Sequence, residues 1–297
     1  MNARRAASTQ ALILFVASYK NCSLLDTNPG ARPAPLGFGQ LAQPLHYPLC
    51  KRTERAPLRV NAMIHWHIVC DFDGTITPTD VIDNVLQRFA GPEWETIEQE
   101  WLDGHIGSRE CLSRQLALIK ATPAELLAYF DSVEIDPDFP DFVDHVIGLG
   151  ASLEVVSDGI EQGIARILSR NYVTLLPILA NRLRQVDQNS WRIDFPYASD
   201  ACRAASGNCK CKSTPRGKRV LVIGDGQSDM CVASTADFVF AKDRLAEYCE
   251  RNAIPYARFD TFAELPALMA QLPNGSANAN TFSLENSAEP QELFHHV

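Results

Sequence analysis

Asp71-Phe72-Asp73-Gly74-Thr75-Ile76-Thr77 directly follows an apolar stretch, Trp66–Cys70. Side chains of a strand alternate faces, so carboxylates two residues apart point the same way. Asp71 and Asp73 would therefore reach into one crevice where the strand ends. Clustered carboxylates repel unless a cation or a proton lies between them. The chemistry on offer is a metal site, an acid/base pair, or both. Two more polar clusters follow apolar runs: Ser157-Asp158-Gly159 after residues 153–156, and Gly224-Asp225-Gly226-Gln227-Ser228-Asp229 after residues 220–223. Between them lies Cys209-Lys210-Cys211-Lys212. Each signal alone has an ordinary reading, since Gly/Asp pairs make turns and a lone Lys is a solvated charge. Three such clusters at strand ends, with a lysine between two of them, are hard to attribute to turns alone.

These groups can meet only if their strands lie side by side. From Met63 onward, strand and helix patterns alternate, which predicts a parallel sheet covered on both faces. Residues 80–90 place Val81, Val85, Leu86 and Phe89 at helical spacing. Trp94, Ile97 and Trp101 form a further helical stripe. Thr122-Pro123-Ala124-Glu125 reads as a capped helix start, and Gly150 ends a helix over residues 139–149. Short runs around Asp187-Gln188-Asn189 read as a hairpin, and residues 262–272 as a final helix. No strand pattern interrupts residues 80–130, so that block reads as an inserted cap over the carboxyl edge of the sheet. The expected architecture is an α/β, doubly wound parallel-sheet (Rossmann-like) core, residues 63–78 and 141–272, with a helical cap domain at 79–140. A tail at 273–297, rich in Asn, Ser and Glu, is expected to be disordered.

The chain of 297 residues is 46% hydrophobic, enough for a packed core. Its formal charge of -9 is uneven: residues 1–60 are basic, and the body is acidic. An acidic body argues against nucleic acid, whose binding rests on Lys and Arg at phosphates. No run reaches the roughly 18 apolar residues of a membrane helix, so no membrane partner is expected. Nine cysteines without secreted-type spacing point to a reducing compartment, hence the cytoplasm. Cys202, Cys209 and Cys211 lack a convincing fourth ligand for zinc. Residues 1–62 form an extension open to three readings. It resembles a short signal or an organelle transit peptide, or Met63 is the true start. The chain could be a monomer or a homodimer.

In order and type, the four clusters resemble the motifs of the haloacid dehalogenase-like phosphohydrolases. Asp71 to Thr75 match an Asp-x-Asp-x-Thr motif, Ser157 a strand-end Ser/Thr, Lys210 the motif Lys, and Gly224 to Asp229 an acidic Gly-Asp-x-x-x-Asp. The resemblance covers about residues 64–270 and implies a phosphatase using Mg²⁺ and a small phosphorylated metabolite. It implies that Asp71 is the nucleophile and Asp73 the general acid/base. Asp71, the Asp73 backbone carbonyl and Asp225 would hold Mg²⁺, a hard ion that prefers oxygen. Ser157 and the Gly74 turn, with Thr75 and Gly159, would hold phosphate oxygens. Lys210 would offset charge on the phosphoryl group (Lys212 being the alternative), and Asp229 would orient its neighbours.

The cap narrows the branch. Phosphoserine phosphatases use a cap Glu for the substrate ammonium and a cap Arg for its carboxylate. Those positions hold Asp80 and Gln115, and Gln cannot make the bidentate ionic contact. Arg114 lies about 100° away around a helix. The motifs and the stretch from Trp94 to Cys111 look closer to the 2-hydroxy-3-keto-5-methylthiopentenyl-1-phosphate phosphatases of methionine salvage. Phosphoserine, phosphocholine/phosphoethanolamine and thiamine-phosphate phosphatases are the alternatives, as is a non-catalytic sensor. Trp94, Trp101, Ser108 and Arg109 are candidate selectors, although both Trp could simply be cap core.

Overall fold

The structure, a computed structural model, describes residues 65–202 and 204–272. The expectations for residues 1–62 and 273–297 lie outside the described residues. Seven strands form one sheet: β1 Trp66–Cys70, β2 Ser152–Ile160, β3 Ile178–Gln185, β4 Trp191–Asp194, β5 Arg219–Gly224, β6 Phe238–Ala241 and β7 Tyr256–Arg258. Their order is β4-β3-β2-β1-β5-β6-β7. Every neighbouring pair is parallel except β3 and β4, the hairpin at the edge. β1 is buried along its whole length, as a strand covered on both faces must be.

The chain winds one way from β1 through β2, β3 and β4, then crosses back to β5 on the other side of β1. That reversal opens a crevice at the carboxyl ends of the central strands. Cys70 pairs with Val155 on one side and Ile223 on the other, so Asp71, Ser157 and Asp225 emerge close together.

Between β1 and β2 run five helices: α1 Val81–Phe89, α2 Glu93–Leu102, α3 Ser108–Leu116, α4 Pro123–Phe130 and α5 Phe139–Gly148. The Asp80 carboxylate caps α1, accepting from Asp83 N–H at 2.9 Å. Thr122 and Glu125 form a capping box at the start of α4. α5 returns to the sheet, where Phe139 and Phe142 pack on Phe262 with ring centroids 4.9 and 5.2 Å apart. The helical block is tied to the hairpin edge by Trp191 Nε1, which donates to the Ala121 carbonyl at 2.7 Å. After β2 come α6 Glu161–Arg170, α7 Met230–Ala233, α8 Asp243–Arg251 and α9 Leu265–Met269.

Three elements differ from the sequence expectation. β2 continues past Val156 to Ile160, with a register shift against β3, so Ser157 sits inside the strand at that irregularity. β7 is only three residues long, too short for a period to show. The last helix begins as a 3₁₀ turn, Phe262–Glu264, and Pro266 sits in the first turn of α9, where its missing N–H is harmless. Among the described residues, no helix is long and apolar enough to cross a membrane.

Candidate active site

Asp71, the first residue beyond β1, is 5% exposed. Its N–H stays in sheet register with the Ile223 carbonyl at 2.9 Å. Its Oδ1 accepts from Phe72 N–H at 2.7 Å and pairs with Lys210 Nζ at 2.8 Å. Among the described residues, Oδ2 has only a long contact, 3.4 Å, from the Ser228 hydroxyl. Lys210 comes from a 3₁₀ turn, Lys210–Ser213, and is 3% exposed. Its ammonium also donates to Asp229 Oδ1 at 2.7 Å and Ser228 Oγ at 2.9 Å. Burial opposes that charge, but Asp229 and Asp71 outweigh burial and hold the Lys210 pKa well above its usual value. Lys212 lies at the surface, donating to the Ala198 carbonyl at 3.3 Å.

The second cluster is anchored by Asp225. Thr75 Oγ1 donates to its Oδ1 at 2.7 Å. Gly74 brings the turn close: φ is +73°, and a Cβ there would stand 2.6 Å from Asp225 Oδ2. Only glycine satisfies both conditions without strain. Asp229 Oδ2 accepts from the N–H groups of Asp225 and Gly226, both at 3.3 Å. One oxygen of Asp229 thus grips the lysine while the other holds the Asp225 turn.

Asp71, Asp225 and Asp229 each place a carboxylate oxygen within 4.8 Å of the others. The donors are all oxygen, and their charge exceeds what one ammonium offsets. That set fits a hard divalent cation such as Mg²⁺. The described cysteines are free thiols. Cys211 and Cys231 sulfurs lie 3.2 Å apart, but the thiols do not gather into a metal-binding group among the described residues.

Asp73 faces the opposite wall. Val81 N–H donates to its Oδ1 at 3.0 Å and the Ser157 hydroxyl to its Oδ2 at 3.1 Å. Ser157 in turn accepts from Gly159 N–H at 2.8 Å. A Cβ at Gly159 would fall 2.7 Å from Asp73 Oδ2, so the close approach of this turn requires glycine. Burial, then the charge of Asp80, pushes Asp73 up to about 8. Burial and the Asp229 charge push Asp225 up to about 6. Asp71 is also raised, by burial first and Asp229 second.

These shifts set a pH dependence. The folded protein binds protons that the unfolded chain has released, so stability is present at low pH and is lost as pH rises through the folded pKa values. The metal-free protein should lose thermal stability from about pH 6 to about pH 8.5, and saturating Mg²⁺ should recover most of the loss. Differential scanning fluorimetry with and without chelator checks this. A melting temperature that is flat or rising over that interval contradicts it.

A cavity of about 210 Å³ connects the two walls with the helical block. Asp80, Trp101, Ser108 and Gln115 line it alongside the strand-end residues. Trp94 instead packs against the core. Arg109 does not reach the cavity. It sits one position, about 100°, around α3 from Ser108, and its guanidinium turns to Asp200 at 3.6 Å. Arg114 is held away by Glu100 at 2.6 Å.

Several groups were not singled out from the sequence. Asp158 accepts from Asn208 N–H at 2.6 Å and from Ser108 Oγ at 3.2 Å, tying helical block, β2 and lysine loop together. Ser228, inside the Gly224–Asp229 run, bridges lysine and nucleophile. Asp83 and Glu98 also face the cavity. Glu98 lies one turn from Trp94 and Trp101, which was the available signal.

A family model described as haloacid dehalogenase-like hydrolase matches residues 68–234. The chain is 30% identical over 211 residues to a 2-hydroxy-3-keto-5-methylthiopentenyl-1-phosphate phosphatase of Exiguobacterium sp., covering 68% of this chain and 96% of the relative. It is 31% identical over 206 residues to the protein of that description from Geobacillus kaustophilus, covering 67% and 92%. Among solved structures, a HAD-family hydrolase of Salmonella enterica serovar Typhi aligns with a TM-score of 0.55 at 17% identity, over 71% of this chain and 73% of the other. A phosphoserine phosphatase of T. onnurineus aligns at 0.53 and 17%, over 74% and 100%. At such identities these two likenesses speak to the fold.

Proposed function

The chain belongs to the haloacid dehalogenase-like hydrolases and is a phosphatase of that family, and we propose that it hydrolyses a small phosphorylated metabolite through an aspartyl-phosphate, with Mg²⁺ bound. The carrying observation is the convergence of Asp71, Asp225 and Lys210 at one crevice, facing Asp73 across the cavity.

In this reading Asp71, Asp225 and the Asp73 backbone carbonyl hold the ion. Bound Mg²⁺ supplies positive charge that lets two anions approach. Asp71 Oδ2, the less committed oxygen, attacks phosphorus and the ester oxygen departs. Lys210 steadies charge on the phosphoryl oxygens, and Ser157 with the turn amides at Gly74 and Thr75 orients them. Asp229 positions Lys210 and the Asp225 turn. Asp73, held protonated near neutral pH, donates to the leaving alkoxide and then takes the proton of the attacking water. The helical block at residues 79–140 serves as a cap that excludes bulk water, over a core at 63–78 and 141–272. The activity of these relatives makes 2-hydroxy-3-keto-5-methylthiopentenyl-1-phosphate one candidate substrate. The free cysteines suit a reducing compartment.

Steady release of inorganic phosphate from p-nitrophenyl phosphate, dependent on Mg²⁺ and stopped by chelator, tests the reading. Mg²⁺ binding without turnover of any monoester would instead identify a sensor, and retention of the phosphoryl group a mutase. Asp73→Asn should separate the two half-reactions. An alkyl phosphate needs its leaving group protonated and should slow by about 10²–10⁴. p-Nitrophenolate departs unaided, so stopped-flow absorbance should record a burst of about one equivalent followed by slow turnover. Equal slowing of both substrates with no burst removes Asp73 from the acid/base role.

A further inference from the structure

The seven described cysteines are free thiols, and they divide by exposure. Cys70, Cys111, Cys209 and Cys249 are buried, where a thiol acts as a small apolar side chain. Cys202, Cys211 and Cys231 are partly exposed. Two of these three touch: the Cys211 thiol donates to Cys231 Sγ at 3.2 Å. The partners lie 20 positions apart in the chain, so no local turn brings them together. Neither lines the cavity.

The contact sits beside the ionic link that holds the nucleophile. Cys211 follows Lys210 in the 3₁₀ turn Lys210–Ser213. Cys231 lies in α7, Met230–Ala233, just beyond Asp229. The turn packs against α7. The same two segments are joined by Lys210 Nζ, which reaches Asp229 Oδ1 at 2.7 Å, Ser228 Oγ at 2.9 Å and Asp71 Oδ1 at 2.8 Å. The sulfurs of a disulfide lie about 2 Å apart, so closing the bond would draw the turn and α7 together by about 1 Å. Lys210 has little slack to absorb that movement, since its side chain is buried and three acceptors fix its ammonium. A misplacement of about 1 Å in a catalytic constellation costs up to about 10²-fold in rate.

We propose that Cys211 and Cys231 are a site of reversible disulfide formation, and that the bond pulls Lys210 off Asp71 and slows phosphoryl transfer. The oxidant is a low-molecular-weight disulfide of the glutathione class. One cysteine, deprotonated, attacks a sulfur of that disulfide and displaces one small thiol. The other cysteine attacks the resulting mixed disulfide at the protein sulfur, closes the intramolecular bond and displaces the second small thiol. Two electrons pass from the pair to the oxidant, and the two cysteine protons pass to the released thiols. Burial, then the hydrogen bond to Cys231, pushes the Cys211 thiol up to about 12, which makes Cys211 the second sulfur to react. In a reducing compartment such a bond is transient, which suits a control on activity. The effect on turnover rests on the phosphatase reading and adds a regulation of that site, whereas the bond itself is independent of it.

Purified full-length protein with Mg²⁺ is equilibrated in glutathione buffers from reduced to oxidised. Peptide mass mapping after alkylation should join Cys211 to Cys231 in the oxidised buffer, with the mass of two hydrogens lost. The kcat/KM for p-nitrophenyl phosphate should fall by about tenfold or more and return with dithiothreitol. Cys231→Ser should keep its turnover in every buffer, and Cys202→Ser should respond as the parent does. Inorganic phosphate supplies a readout without turnover, since its calorimetric affinity should also be weaker in the oxidised form. A map that joins other cysteines, or finds glutathione adducts alone, overturns the proposal. So does a joined Cys211–Cys231 pair that leaves kcat/KM and phosphate affinity unchanged. A protein that hydrolysed no monoester would sink the phosphatase reading, and the map with the phosphate affinities would still decide this one.

Discussion

Asp71→Asn should abolish phosphomonoester hydrolysis, lowering kcat by about 10⁴ or more while the fold survives. The loss is large because no neighbour can substitute for the missing oxygen. Asp225 Oδ1 is held by Thr75, and Asp229 is committed to Lys210 and two backbone N–H groups. Asp73 lies on the other wall, engaged by Val81 and Ser157. The fold should survive because Asn can still accept from Phe72 N–H, and because one charge leaves a crowded set of buried carboxylates. Metal-free Asp71→Asn should therefore melt no lower than the parent at about pH 8, where the repulsion is greatest. Acid-quenched mass spectrometry should find a phosphoryl adduct on the parent and none on the variant. Turnover within about tenfold of the parent, with the adduct absent from both, would remove Asp71 as nucleophile and with it the covalent route.

The strand-end groups could be read from the sequence because a parallel sheet leaves little freedom. Asp71, Ser157 and Asp225 each sit just beyond, or late in, a run of buried apolar residues. Neighbouring parallel strands in register bring such positions together whatever the loops do. The parallel sheet and the helical block follow from the same alternation of periods. What was not legible depends on loop conformation and helix phase. Arg109 was a candidate by adjacency, yet a single residue step around α3 sends it to Asp200. Asp158 and Asn208 are 50 positions apart, and nothing local announces their 2.6 Å bond. Asp83 and Glu98 escaped because they come from two different helices. Each alone reads as a surface charge. β7 escaped because three residues carry no period.

Lys210→Met carries the largest expected effect on stability, and the reasoning turns on what the lysine leaves behind. Lys210 is 3% exposed and its ammonium lies between Asp71 at 2.8 Å and Asp229 at 2.7 Å, residues that are 5% and 1% exposed. Breaking a buried ion pair from one side costs about 3–5 kcal/mol, because the partner keeps its desolvation penalty without its counter-charge. At about 2–4 °C per kcal/mol for a domain of this size, the metal-free variant should melt roughly 10 °C lower near pH 8. Turnover should fall with it. The sign with pH distinguishes this from a packing defect. Removing the cation raises the carboxylate pKa values further, so the deficit should shrink as pH falls and protons replace the ammonium. Mg²⁺ should narrow it at constant pH for the same electrostatic reason. Lys210→Met combined with Asp229→Asn should regain much of the loss, since the double variant buries one charge fewer. Lys212→Met, at the surface, should change neither melting nor rate. A metal-free Lys210→Met protein melting within about 1 °C of the parent at pH 8 would show that Asp71 and Asp229 do not depend on this lysine. Charge balance would then not be what holds the nucleophile in place.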